Sequence, residues 1–410
     1  MFVKNSANLL PIVDSVFSVV KKAQEAIKTI GRDQVVDATL GSLFNEENQL
    51  VALDSVFQSY NALPSVVKAK YAGSFQGNEN YRRQVQQWVL KDYGANLASS
   101  VIATPGGSGA LSASFDTLLD AKETIILPNI GWTSYQLMAQ EKQLQIQYYE
   151  MFEEDAFHLA SFEQVCRNVM KQQGKVVVVI NDPCHNPTGY SMSVAEWRSV
   201  ISFLNELSKQ GECVIVNDVA YIDYSYRKEL SREYMQVFAD ISDRLLIILA
   251  FSCSKSLTSY GLRAGAAIVL GKQEAAVRQV EIVMEKLARS IWSNVANAAM
   301  ENFVLVTTQY KEAYEAEKQI YIDLLQERSN IFCAEAKQAD LPLYPYEEGF
   351  FVTVKVEEAL LEAYHSLLME HHIYTVKVDH GIRVAICGLN KVKCRGLASR
   401  MKVLLDQVQQ

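Results

Sequence analysis

Proline is scarce, at 8 of 410 residues, and glycine is modest at 19, which excludes a collagen-like chain or a proline-rich disordered one. The 7 cysteines stand singly, at positions 166, 184, 213, 253, 333, 387 and 394, without a C-x-x-C pair. Neither a zinc site nor a disulfide framework is indicated, no metal is expected, and reduced thiols in a cytoplasmic setting fit best. Positive charge is in deficit: 39 Lys and Arg against 47 Asp and Glu leave a net −8. Bulk electrostatics therefore gives no reason to expect nucleic acid or an anionic membrane as partner. The longest apolar run, Leu245–Phe251, is far too short to span a bilayer. Pro11 and Asp14 interrupt the apolar stretch after Lys4, which argues against a signal peptide. What is present, 49% hydrophobic and 21% charged residues, is the profile of a globular chain large enough for two domains.

Short apolar, β-branched runs at Thr124–Leu127, Lys175–Ile180, Cys213–Asn217, Leu245–Ala250 and Ala266–Leu270 read as buried strands. Between them, Ser161–Gln173 and Val194–Gln210 carry helical spacing with polar faces. That alternation predicts a parallel α/β sheet, whose sites lie at the carboxyl ends of its strands. From about Glu274 to Gln338 the pattern is helical and charged, and Phe350–Val356 and Ile382–Cys387 then read as strands of a smaller unit. The expected division is an N-terminal segment 1–50 that joins the small domain, a large domain 51–295 and a small C-terminal domain 296–410. The pair His371-His372 lacks ligand spacing and reads as surface.

Four segments carry chemistry. In Ser252-Cys253-Ser254-Lys255, followed by Arg263, a lysine leaving a buried strand has its ammonium partly desolvated, which favours the neutral amine that condenses with an aldehyde. The serines and the planar guanidinium suit a phosphate monoester. Alone, S-x-S-K equally describes a surface lysine capping a strand. Thr104-Pro105-Gly106-Gly107-Ser108-Gly109 runs into the helical stretch Ala110–Leu119, so its backbone N–H groups suit an anion; a plain helix-entry turn has the same composition. It has neither G-x-G-x-x-G spacing nor a P-loop's G-K-[ST]. Asp182-Pro183-Cys184-His185-Asn186-Pro187-Thr188-Gly189 fixes a turn after a strand, with Asn186 toward the crevice. Asp218-Val219-Ala220-Tyr221 places a carboxylate and a phenol at i and i+3, spaced to hold a pyridine ring.

In this order, these motifs and a late arginine resemble a class I aminotransferase over essentially the whole chain. Cys184-His185-Asn186-Pro187-Thr188-Gly189 and Arg289-x-x-Trp292-Ser293-Asn294 are similar to the aspartate and aromatic aminotransferase branch. The resemblance implies fold type I of the pyridoxal-5′-phosphate (PLP) transferases: an α/β large domain with a mostly parallel sheet flanked by helices, and a smaller α+β domain. It implies PLP as cofactor, with Lys255 as the lysine that holds it and moves the substrate Cα proton. Asp218 matches the partner of the pyridine nitrogen, and Tyr221 and Asn186 the partners of the ring oxygen. Gly107, Ser108, Ser252, Ser254 and Arg263 match the phosphate cup, and Trp132 an aromatic stacked on the ring. Arg383 matches the arginine that grips the substrate α-carboxylate, with Gly41 offering a backbone N–H to the same group and Asn186 and Trp132 beside it. Tyr71 and Arg289 match residues that cross to the neighbouring active site of a homodimer, Tyr71 to the cofactor phosphate and Arg289 to a distal substrate carboxylate.

The chain departs from that branch in having Trp292 after Arg289, no proline after Ser293-Asn294, and Tyr135 where an active-site histidine is expected. The expected reaction is ping-pong transfer of an amino group between a dicarboxylic or aromatic L-amino acid and a 2-oxo acid such as 2-oxoglutarate. A PLP-dependent β-lyase or amino-acid decarboxylase, and a catalytically silent member of the fold, are the alternatives.

Overall fold

The computed structural model describes residues 2–4, 8–9 and 15–410; Pro11 and Asp14 lie outside the described residues. Seven strands form the main sheet: β1 (Ala98–Thr104), β2 (Thr124–Pro128), β3 (Gln145–Tyr149), β4 (Lys175–Asn181), β5 (Glu212–Asp218), β6 (Leu245–Ser252) and β7 (Gly265–Gly271). Their spatial order is β1-β7-β6-β5-β4-β2-β3, and only β7 runs against its neighbours. Each of the five strands predicted for this sheet is present, extended by a residue or two, while the predicted Phe350–Val356 and Ile382–Cys387 are found as Phe351–Lys355 and Gly381–Ala385. The unbroken Val-Val-Val-Val-Ile of β4 is explained by cover on both faces. Val176, Val178 and Ile180 face one apolar layer, and Val177 and Val179 face the other. Each such valine, removed from water, contributes about 1.5–3 kcal/mol.

Helices Leu159–Gln173 and Val194–Leu207 cover the first face through Phe162 and Trp197, while Gly106–Leu118 and Glu274–Ile291 cover the second through Leu111 and Val277. Val194–Leu207 starts at a capping box, Ser193 accepting from the Glu196 amide while Glu196 reaches back. The helix over the second face begins at Gly106, four residues earlier than the spacing predicts, so the glycine-rich segment is its first turn. The charged helical stretch resolves into Glu274–Ile291, Asn297–Thr307 and Lys311–Gln338.

A second sheet contains β8 (Phe351–Lys355), β9 (Val376–Val378) and β10 (Gly381–Ala385), with β10 central and antiparallel to both partners. Its core draws on both chain ends, Val36 and Ala38 packing with Val352, Ile382 and Leu405. Val36–Asp37 pairs in parallel with Ile373–Tyr374, which ties the early chain to this unit. The long helix Lys311–Gln338 links the cores: Tyr314 and Leu325 pack with the main sheet, Phe332 and Ala336 with the second. His371 and His372 are both exposed, as read from the sequence.

Candidate active site

At the carboxyl ends of β4, β5 and β6 lies a cavity of about 300 Å³, within the range of small-molecule sites. Asn186, Asp218, Tyr221 and Lys255 line it, together with Gly107, Ser108, Ser252, Ser254, Arg263 and Trp132. Sheet topology explains the meeting: adjacent parallel strands β4, β5 and β6 end on one edge, so each motif that follows a strand opens onto the same crevice.

Lys255 sits in the short helical turn Cys253–Ser256 directly after β6. Its Nζ donates to the Gly41 carbonyl at 3.1 Å and lies 4.9 Å from the Tyr260 ring centre. Burial pushes its pKa down to about 8, with Arg383 and Arg263 acting in the same direction and Cys387 and Asp218 opposing. At pH 7 about one molecule in ten then carries a neutral amine, against roughly one in several thousand for an ordinary lysine.

Asp218 ends β5, only 5% exposed. The Tyr135 hydroxyl donates to its Oδ2 at 2.6 Å and the Ala220 amide to its Oδ1 at 3.1 Å. Burial raises its pKa to about 6; the Tyr135 and Ala220 hydrogen bonds and the Lys255 charge hold it below where burial alone would leave it. The carboxylate is therefore ionised at neutral pH yet poorly solvated, and a cation facing it would be strongly favoured. Tyr135 thus occupies a place where the sequence resemblance leads one to expect histidine, as a neutral donor.

An anion cup lies beside Lys255. The first amides of Gly106–Leu118 have no partner within their own helix, and Ser252 and Ser254 follow from β6. Arg263, itself exposed, donates to Ser254 Oγ at 2.9 Å and to the Tyr260 carbonyl at 2.8 Å. Gly106 has φ +76°, and a Cβ there would lie 2.5 Å from Arg263 Nη2, so only glycine lets the guanidinium come so close.

Arg383 comes from β10 and is buried. Its Nη1 donates to Asn186 Oδ1 at 3.2 Å and its Nη2 to the Thr39 carbonyl at 2.7 Å, while Nε has no hydrogen-bond partner among the described residues. Its guanidinium lies 4.4 Å from the Phe351 ring centre. A buried cation with an unused donor and no carboxylate partner in hydrogen-bond reach is a site for an anionic group.

Gly41 and Arg383 border the cavity through their contacts with Lys255 and Asn186, whereas Tyr71 and Arg289 are not brought to it. Tyr71 is 86% exposed, and Arg289 is exposed with its guanidinium 4.8 Å from the Phe75 ring centre and Nη1 donating to Ser293 Oγ. Exposed apolar side chains gather on these segments: Val66 and Tyr71, then Phe75, Ile282 and Ile291. Residues the sequence reading did not assign include Asn181, whose Oδ1 accepts from the Asn186 amide and whose Nδ2 donates to the Asp218 carbonyl. Ser42, Leu111 and Tyr260 also line the cavity. Asn181 carried one signal, its place one residue after the predicted end of β4; Tyr260 carried none.

Residues 44–401 match the profile of the family described as aminotransferase class I and II. The chain belongs to that family. Its fold matches the crystal structure of an aminotransferase from Anaerococcus prevotii with a TM-score of 0.96 and 30% identity, covering 99% of this chain and 100% of that one. The aspartate aminotransferase of Escherichia coli (strain K12) is 25% identical over 242 residues, 55% of this chain and 59% of that enzyme's length. An aromatic-amino-acid aminotransferase from Burkholderia pseudomallei, solved covalently bound to pyridoxal phosphate, shares the fold with a TM-score of 0.77 at 20% identity, covering 99% of this chain and 100% of that one. Among the described residues, no helix is long and apolar enough to cross a membrane.

Proposed function

We propose that this aminotransferase-family chain uses PLP to move an amino group between an L-amino acid, dicarboxylic or aromatic, and a 2-oxo acid such as 2-oxoglutarate, in two alternating half-reactions. One observation carries the reading: a desolvated lysine amine, an ionised buried carboxylate and an anion cup share a single cavity, with a buried arginine beside it.

PLP fits this donor set. Gly107, Ser108, Ser252, Ser254 and Arg263 would hold its phosphate, Asp218 its ring nitrogen, and Tyr221 and Asn186 its ring oxygen. Trp132 would cover one ring face. When bound, the cofactor supplies an aldehyde that condenses with amines and a ring that takes up the electrons of the breaking Cα–H bond. Arg383 would bind the substrate α-carboxylate, with Nε as the unused donor and Gly41 two residues beyond Thr39, whose carbonyl accepts from Arg383. Asp218 would keep a proton on the ring nitrogen, because an unsolvated carboxylate gains most from a cation beside it. Lys255 Nζ, its pKa lowered by burial to about 8, would take the proton from substrate Cα and return it. Asn186 would link the two halves of the site, since its Oδ1 accepts from Arg383 while its backbone is fixed by Asn181.

The exposed apolar cluster around Tyr71, Phe75 and Ile291 supports a homodimer in which Tyr71 and Arg289 serve the neighbouring site. A cytoplasmic setting in amino-acid metabolism agrees with seven cysteines that stay unpaired. The names of the matched proteins favour transamination over β-elimination or decarboxylation. Replacing Lys255 by alanine tests the assignment: the variant should remain folded but lose the yellow absorbance of the cofactor-loaded enzyme and all turnover. An unchanged spectrum would mean that another lysine holds the cofactor.

A further inference from the structure

Behind the Tyr221 turn lies a second cavity, of about 150 Å³, lined by the end of helix Glu79–Leu90, the segment after β5 and one side of Lys311–Gln338. Its charges are unbalanced. Lys91, Lys228, Arg232 and Lys318 face it, against Asp223 and Glu315. In a chain with net charge −8, four cations around one small cavity are a local reversal of sign.

The two carboxylates offset them only in part. Asp223, buried, accepts from Arg232 Nη2 at 2.5 Å and from Trp88 Nε1 at 3.0 Å, with Lys318 Nζ farther off at 3.9 Å. Glu315 lies 3.9 Å from Lys311, which stands outside the cavity. Lys91 and Lys318 hold their ammonium groups on the Trp88 ring, at 4.3 and 5.1 Å from its centre. Burial depresses the pKa of both lysines most, with Arg232 acting in the same direction and Asp223 and Glu315 opposing. Four cations thus share two carboxylates, and the cavity keeps an excess of positive charge.

Hydrogen-bonding capacity is left over as well. Arg232 is 5% exposed, yet its Nε has no hydrogen-bond partner among the described residues. Ser231, also buried, accepts from Arg232 Nη1 at 2.7 Å, so its own hydroxyl proton remains available to donate. Residues carrying a buried guanidinium donor, a buried hydroxyl and three ammonium groups line one space, where a single water needs only roughly 10–15 Å³.

We propose that this cavity is a binding site for a small phosphate-type dianion, distinct from the cofactor's anion cup. Tetrahedral oxygens suit it better than a planar carboxylate. The Arg232 fork is already committed to Asp223, Ser231 and the Ile222 carbonyl, so no two-pronged face remains, and the free cations are ammonium groups that act as point charges. The site borders two catalytic segments. Ile222 follows Tyr221, and Tyr314, beneath Lys318, donates to the Ser256 carbonyl next to Lys255 at 2.6 Å.

The test is calorimetric titration of inorganic phosphate into cofactor-loaded enzyme, with chloride adjusted to keep ionic strength constant. The double variant Lys91→Gln, Lys228→Gln removes two exposed cations that do not contact Asp223, so the fold is preserved. One phosphate per chain should bind the parent enzyme, and affinity should fall about tenfold or more in the double variant. Ser231→Ala should weaken binding with the same stoichiometry. No heat of binding in the parent, or binding that both variants leave unchanged, would overturn the site. Neither outcome bears on Lys255 or Asp218, so a failure here leaves the reading of the main cavity intact.

Discussion

Asp218 shows how one residue sets chemistry against stability. In the unfolded chain its carboxyl titrates near 3.8, and in the fold near 6, because burial penalises the charge. Stability from this group is therefore full below about pH 4 and is lost as pH rises through about 6, where the folded state must hold an unsolvated anion. The difference is on the order of 2–3 kcal/mol at neutral pH. Asp218→Asn should raise the thermal midpoint of the cofactor-free protein by a few degrees at pH 7.5, with the gain shrinking as pH is lowered toward 4. Turnover should fall about 100-fold or more, the equivalent of ~2.7 kcal/mol of lost transition-state stabilisation. Calorimetry and steady-state kinetics on one preparation check both halves, and a variant that is less stable at pH 7.5 or equally active contradicts the assignment. The residue itself was legible because Asp-x-Ala-Tyr follows a strongly β-branched run. The donor that tunes it was only half legible: Tyr135 could be aligned with a histidine, but the sequence does not show that its hydroxyl reaches Asp218.

At the level of elements, legibility tracked burial. Within the main sheet, the strands read from the sequence, β2 and β4 to β7, are those with continuous apolar runs, and all five are interior. The two strands not read, Ala98–Thr104 and Gln145–Tyr149, are its edges, where Ser99 and Ser100 or Gln145 and Gln147 break the apolar pattern. The misplaced start of Gly106–Leu118 has a different cause. Glycines are poor helix formers, so propensity puts the helix at Ala110, whereas contact between Gly106 and Arg263 fixes the first turn. Gly106→Ala should leave the fold intact but displace Arg263, since the new Cβ falls 2.5 Å from its Nη2 and φ is +76°. Cofactor affinity, measured by equilibrium loading of the stripped protein, should weaken about tenfold or more; unchanged affinity would remove Arg263 from the cup.

For the whole molecule, we retain the division into an N-terminal segment 1–50, a large domain 51–295 and a small domain 296–410 as a proposal. The shared core of Val36, Ala38 and Leu405 supports the joining of the two ends, while Met300 and Phe303 pack with the main sheet. Tyr71 and Arg289 could be matched to the family by position, yet their role depends on a second copy of the chain, which no single-chain pattern encodes. Sedimentation should give a dimer, and charging the apolar cluster by Ile291→Glu should shift it toward monomer with loss of activity; a fully active monomer would contradict the shared site. The central claim is transamination, and the most direct measurement is an absorbance titration of the cofactor-loaded enzyme with aspartate and then tyrosine. The yellow form should become colourless without added oxo acid and return on addition of 2-oxoglutarate, whereas persistence of the yellow form with release of pyruvate or carbon dioxide would contradict it.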